Sequence, residues 1–112
     1  MEKHIYQQIV EELSKIPTIH AVEKPGHCRL WSSQVLKIFR TQLCTVYPDV
    51  KIEAREVSIN NSLSHTFIQL LARDDFPYFI DKIGIEDHPP YNGYAADAPA
   101  HLQNSHLDLL SY

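Results

Sequence analysis

Three residues, Cys28, His65 and Asp81, carry the chemistry that this sequence could do. A thiol becomes a nucleophile when a neighbouring base takes its proton, and the base works best when a third group orients it. Cys28 comes after a Pro-Gly-His break at 25–27 and opens an apolar pattern at helical spacing: Trp31, Val35, Ile38, Phe39. That places it in the first turn of a largely buried helix. Unpaired backbone N–H groups and the positive end of the helix dipole there favour the thiolate. His65 opens a strand, and Asp81 lies late in the next one, among Tyr78, Phe79, Ile80 and Ile83. A carboxylate in such apolar company is costly unless paired. A histidine partner would relieve the cost and would be held in the tautomer that presents its other nitrogen to Cys28.

The elements that must position these groups can be read from periodicity. Ile5, Ile9, Leu13 and Ile16 predict an amphipathic helix over 2–16, stopped by Pro17. A polar loop is expected over 17–27 and a second helix over 28–46, ended by Tyr-Pro-Asp at 47–49. From Val50 the period changes to two, predicting a strand that carries Val50, Ile52 and Ala54 on one face. The apolar phase then slips to Val57 and Ile59, which reads as a bulge or bend. A turn at 60–62, a central strand over 65–72 and a third strand over 76–83 complete the expected sheet. Residues 87–94, Asp-His-Pro-Pro-Tyr-Asn-Gly-Tyr, read as a loop of the kind that lines a groove or packs on its own tyrosines. A short helix is expected over 99–110. The order predicts a single α+β domain, two N-terminal helices packed on one face of a small antiparallel sheet, with an irregular segment over 85–112.

Geometry makes a demand on the second hairpin. Paired side chains on antiparallel strands share a face. A register centred on Arg73, with a three- or five-residue loop, sets His65 directly opposite Asp81. A two-residue loop at Asp74-Asp75 would put them on opposite faces. The Arg-Asp-Asp-Phe-Pro turn fits the longer loop, because it lacks the dipeptides of tight hairpins.

Length and composition set the bounds. At 112 residues the chain has room for one core. A net charge of −4 with scattered Lys and Arg argues against a nucleic-acid partner. No apolar run approaches the roughly 18 residues of a membrane span, and no signal-peptide segment opens the chain. The expected compartment is the cytoplasm, or export without a classical signal peptide. Cys28 and Cys44, at opposite ends of the second helix, would stand roughly 24 Å apart at about 1.5 Å per residue. Both are therefore expected to be free thiols, Cys44 as a small core residue. His20, His27, Cys28, His65 and His88 lack the spacing of a metal site, so neither metal nor cofactor is expected. The Asp74-Asp75 pair reads as a turn feature.

Taken singly, each candidate has a plainer reading: a packed thiol, a satisfied histidine, a strand-end carboxylate. Taken together, Gly26-His-Cys28-Arg29, the long helix, Ser64-His65-Thr-Phe-Ile and Tyr78-Phe-Ile-Asp81 resemble the core of the papain-like cysteine enzymes. The likeness spans residues 25–84, and is closer to the transglutaminase-like and arylamine N-acetyltransferase-like branches and to small papain-fold toxin and effector domains. Those families place a Gly-x-Cys, a histidine and an aspartate in this order at comparable intervals. The chain departs from them in two places. Asp81-Lys-Ile-Gly replaces their usual continuation, and the glutamine ahead of the cysteine is missing. That leaves an oxyanion hole to the Cys28 N–H and a second donor, for which His27 and His20 are the nearby candidates.

The resemblance implies a papain-like fold with Cys28 as nucleophile, His65 as general base and then acid, and Asp81 as orienter. It implies attack on an amide, a peptide bond or glutamine carboxamide, in a peptide or protein substrate, through a thioester. The rival reading is a non-catalytic binding or immunity-type module with a degenerate papain-like fold. Nothing in the sequence specifies an oligomeric state.

Overall fold

The computed structural model describes residues 4–60, 63–85 and 87–108. Helix α1 (Ile5–Ser14) buries Tyr6, Ile9 and Leu13, one face at helical spacing. Pro17 does stop it, but the stretch after it is not all loop. Pro17 opens a short helix, α2 (Pro17–His20), at the first position, where its missing N–H costs nothing and its fixed φ is already helical.

Helix α3 (Cys28–Ile38) buries Trp31, Ser32, Val35, Leu36 and Ile38. It runs on into a π-helical turn (Phe39–Leu43), closed by Cys44 N–H donating to Phe39 O at 2.8 Å. The wider turn changes the angular phase of the residues beyond it. Leu43 and Tyr47 stay buried, while Cys44 faces solvent and donates from Sγ to Arg40 O at 3.1 Å. The expectation that Cys44 packs in the core is thereby corrected. Both cysteines are free thiols.

The sheet has five antiparallel strands, not three: β1 (Val50–Asn60), β2 (Leu63–Ala72), β3 (Tyr78–Asp81), β4 (Tyr91–Tyr94) and β5 (His106–Asp108), in spatial order β4-β3-β2-β1-β5. The segment expected to be irregular thus supplies both edge strands. It also supplies helix α4 (Ala100–Gln103), shorter than the helix expected over 99–110. The turn read at 60–62 lies largely outside the described residues.

The β1–β2 ladder holds one register from Val50–Ala72 to Ser58–Ser64 and shifts only between Ser58 and Asn60. The ladder is regular at Val57 itself, and the irregularity falls just after it, between Ser58 and Asn60, within the stretch where a bulge or bend was expected. Val50, Ile52 and Ala54 face the helices, and Val57 is buried on the other face, where its cross-strand partner is His65.

Each face of the sheet carries a core. Ile68, Leu70, Ala72, Tyr78 and Ile80 pack with α1, α2 and α3. On the reverse face, Phe67 and Phe79 pack edge-to-face, 4.9 Å between centroids, under Ala98 and Leu102. The helices were expected on one face only; the C-terminal segment covers the second. Arg55 pins it there, donating from Nε to Ser105 Oγ (2.7 Å) and from a terminal nitrogen to Ser105 O (2.6 Å). Its guanidinium also lies over the Phe79 ring, 5.7 Å from the centroid.

Candidate active site

Cys28 is the first residue of α3 and is half-buried. His27 precedes it as the N-cap residue without a side-chain cap bond, and the helix begins with Trp31 N–H donating to His27 O at 2.8 Å. The sulfur therefore sits at the positive end of an 11-residue helix.

His65 and Asp81 are fully buried and bonded to each other, His65 Nε2 to Asp81 Oδ2 at 2.8 Å. A carboxylate offers no proton, so Nε2–H is the donor and the other nitrogen, Nδ1, is left for the thiol. The route to this contact differs from the expected one. Ile68 pairs with Ile80 and Leu70 with Tyr78, which sets Phe67, not His65, opposite Asp81 in the extended register. The shift is two residues, so parity is kept and both side chains stay on the reverse face. Asp81 reaches His65 along the diagonal.

The β2–β3 ladder stops at Ile68–Ile80, and beyond it, among the described residues, the edge of β2 has no strand beside it on that side. The thiol occupies this gap. Burial alone would push Cys28 up. The His65 imidazole and the backbone N–H groups of Thr66 and Arg29, all interacting with the sulfur, outweigh burial and hold the thiol below its ordinary value. For His65, burial acts downward. The Asp81 bond, reinforced by the hydrogen-bonding and charge of Cys28, overcomes it and raises the imidazole to about 9. His65 Nδ1 makes no hydrogen bond of standard geometry. Thiol and imidazole are thus in range to shift one another's ionisation without being aligned, a looseness common in thiol–imidazole sites before substrate tightens them. The three predicted residues are brought together, from three separate elements.

Sequence reasoning missed the parts that hold them. Gly84 N–H donates to Asp81 Oδ1 at 3.0 Å, fixing the carboxylate from the side away from His65. Gly84 has φ +68°, and a Cβ there would stand 2.8 Å from His88 O and 2.9 Å from Pro90 N. A glycine three residues after the aspartate was the available signal, since Asp side chains commonly bond the backbone just downstream. The Thr66 N–H had no signal, because every strand residue carries the same donor.

Cys28 opens onto a cleft of about 490 Å³ lined by Pro25, Gly26, Ser64, Ile83, Gly84 and Ile85. The cleft wall comes from residues just upstream of the loop that was read as a groove lining. Of that loop, 91–94 is strand β4, and His88 stacks on His101 with centroids 3.9 Å apart. The two proposed oxyanion donors are placed elsewhere or exposed: His20 pairs with Glu23 at 3.1 Å, and His27 faces solvent. Among the described residues no group of three or more His, Cys, Asp or Glu side chains could hold a metal ion. A second depression, about 460 Å³ and lined by Pro48, Lys51, Leu71, Arg73, Asp74 and Asp75, lies at the opposite end of β2 and contains neither thiol nor imidazole. No helix of the described residues is long and apolar enough to cross a membrane.

The architecture is that of an α+β protein with helices and a five-stranded antiparallel sheet. Comparison with protein-family models, with curated proteins and with solved structures found no match to this chain.

Proposed function

We propose that this chain is a thiol-dependent hydrolase or acyltransferase on a papain-like core, with Cys28 as nucleophile, His65 as base and then acid, and Asp81 as orienter. One observation carries the reading: a buried His65 Nε2–Asp81 Oδ2 bond of 2.8 Å leaves Nδ1 acting on a thiol at a helix start. The same order of cysteine-bearing helix, histidine strand and aspartate strand supports the fold assignment.

In this reading the Cys28 thiolate attacks an amide or acyl carbon, and the oxyanion forms at the N-terminus of α3, where the Cys28 N–H and the helix dipole favour negative charge. The tetrahedral species collapses by breaking the bond to the leaving group, which takes a proton from His65. Water or an amine then attacks the thioester, gives its proton to His65 and releases the thiolate. Peptide hydrolysis, glutamine deamidation and acyl transfer share these steps. Asp81 keeps its role throughout, holding Nε2–H so that Nδ1 alone exchanges protons.

The test is the rate of Cys28 alkylation by iodoacetamide against pH, in a Cys44→Ser background. An inflection well below the ~8.5 of a free thiol, absent in His65→Ala, is the expected result. A slow, featureless profile in both proteins would leave Cys28 as packing and favour the non-catalytic binding module.

A further inference from the structure

We propose that His101, stacked on His88, is a positioning residue for the His65–Asp81 pair and serves it only while its own ring is uncharged; its bearing on catalysis rests on the reading of Asp81 as orienter. The turn after β3 carries the first link. Gly84 N–H holds Asp81 Oδ1 at 3.0 Å. One residue on, Ile85 and His88 exchange both backbone hydrogen bonds at 2.9 Å, so the grip on Asp81 and the base of the His88 side chain belong to one bonded turn. The His88 ring lies flat on His101 of α4, 3.9 Å between centroids and 22° between planes. Helix α4 is seated on the face of the sheet that carries the pair. Leu102 is buried there with Phe67 and Phe79, and the Phe67 ring stacks toward His65 at 6.2 Å. The imidazole stack thus ties the hold on Asp81 to the layer that covers it.

A proton on His101 would be poorly housed. Its Nε2 is buried and, among the described residues, has no hydrogen-bond partner. As a bare lone pair that nitrogen misses one bond; protonated, it would be a charged donor without an acceptor, a much larger cost. The ionisable groups that act on it are His88 from the turn, Asp81 from β3 and His65 from β2. Burial first, then His88, hold the imidazole below its ordinary value; Asp81 pulls upward, and His65 adds to the lowering. Arg55 of β1 is committed to Ser105, and Asp87 and Asp97 are exposed. The stability given by the neutral ring is therefore complete above ~6.5, the unfolded value, and lost as pH falls below it. There the ring gains its charge at the expense of the stack, and the turn loses its tie to α4. His65 does not titrate in that range, since its imidazole is raised to about 9.

The experiment is an NMR titration of the full chain from about pH 7.5 to about 5, the range in which an ordinary histidine changes charge. It follows the carbon-bound ring protons of His101 and the low-field Nε2–H proton that His65 donates to Asp81. In the wild type the His65 signal should move, and exchange with water several-fold faster, at the midpoint of His101. His101→Phe keeps a flat ring against His88 and has no proton to take, so there the His65 signal should hold its place. Cys28→Ala removes the thiol's own titration and should leave the wild-type response intact. A His65 signal indifferent to His101, or one that moves equally in His101→Phe, would overturn the proposal. If that variant does not fold, agreement or disagreement of the two midpoints in the wild type decides alone.

Alkylation of Cys28 by iodoacetamide separates this proposal from the nucleophile reading. Over the same pH range the wild type should lose several-fold more of its rate than His101→Phe, because Asp81 is released only in the former. A slow, flat alkylation profile with the His65 response intact would remove the nucleophile and still support His101 as the group that secures the buried pair.

Discussion

His65 is buried and bonded to Asp81, so its ionisation is tied to folding. Its folded pKa of about 9 stands above the ~6.5 of an unfolded histidine. The stability it contributes is therefore complete below about pH 6.5 and lost as pH rises through 9. Cys28, held low, acts in the opposite sense: its contribution is present above the ordinary thiol value and lost as pH falls through its folded pKa. Removing the thiol separates the two. In Cys28→Ala the urea midpoint should fall as pH rises from about 6.5, and the fall should end below 9, because the thiol's share in raising His65 is gone. The same scan on His65→Ala should show a smaller fall. At this scale the sequence was legible where chemistry depends on residue type. Cys28, His65 and Asp81 stand out because few other side chains could do their work. Thr66 could not stand out, since its contribution is a backbone N–H, and Cys44 was misplaced because the π-helical turn rephases the helix just ahead of it.

Among the elements, the hairpin of β2 and β3 does most to assemble the site, and the bend after β3 does most to hold it. Gly84→Ala should be costly at two levels. The φ of +68° strains any side chain, and the new Cβ meets backbone atoms of His88 and Pro90, which cannot swing aside. A loss of about 1–3 kcal/mol in denaturant unfolding is expected, with slower Cys28 alkylation at pH 6 as Asp81 loses its second hold. Strands β1 and β2 were legible because they are long enough for periodicity to speak. Strands β4 and β5 have four and three residues, and β4 carries Asn92 and Gly93, so local preference opposes the strand that pairing with Tyr78 and Asp81 enforces.

For the molecule as a whole, one phenol adds hydrogen bonds to the apolar packing that joins the helical layer to the sheet. Tyr6 Oη donates to Phe76 O at 2.7 Å and accepts from Ala72 N–H at 2.8 Å, bridging the two ends of the β2–β3 turn from α1. Its ring also stacks on Tyr78, 4.7 Å between centroids. Tyr6→Phe keeps the ring and leaves the buried Ala72 N–H without its partner. It should cost about 1–3 kcal/mol, measured by chemical unfolding, with little change in Cys28 alkylation. The sequence marked the apolar stripe of α1 but not this bridge, because it joins residues 66 positions or more apart. The two-sided core was hidden for a similar reason: Phe67 and Phe79 read as one more pair of buried strand residues until α4 is seen to cover them.

The diagonal reach of Asp81 to His65 also bears on how this chain could change length over generations. What the pair requires of the turn between β2 and β3 is parity, not a particular number of residues. A codon gained or lost there and absorbed within the turn leaves the sheet in step. One that slides β3 by a single position turns Asp81 toward the helical layer and Ile80 toward the histidine, although every residue of the site is still encoded. Inheritance of the site therefore runs through the reading of odd and even positions in a stretch that never touches the thiol.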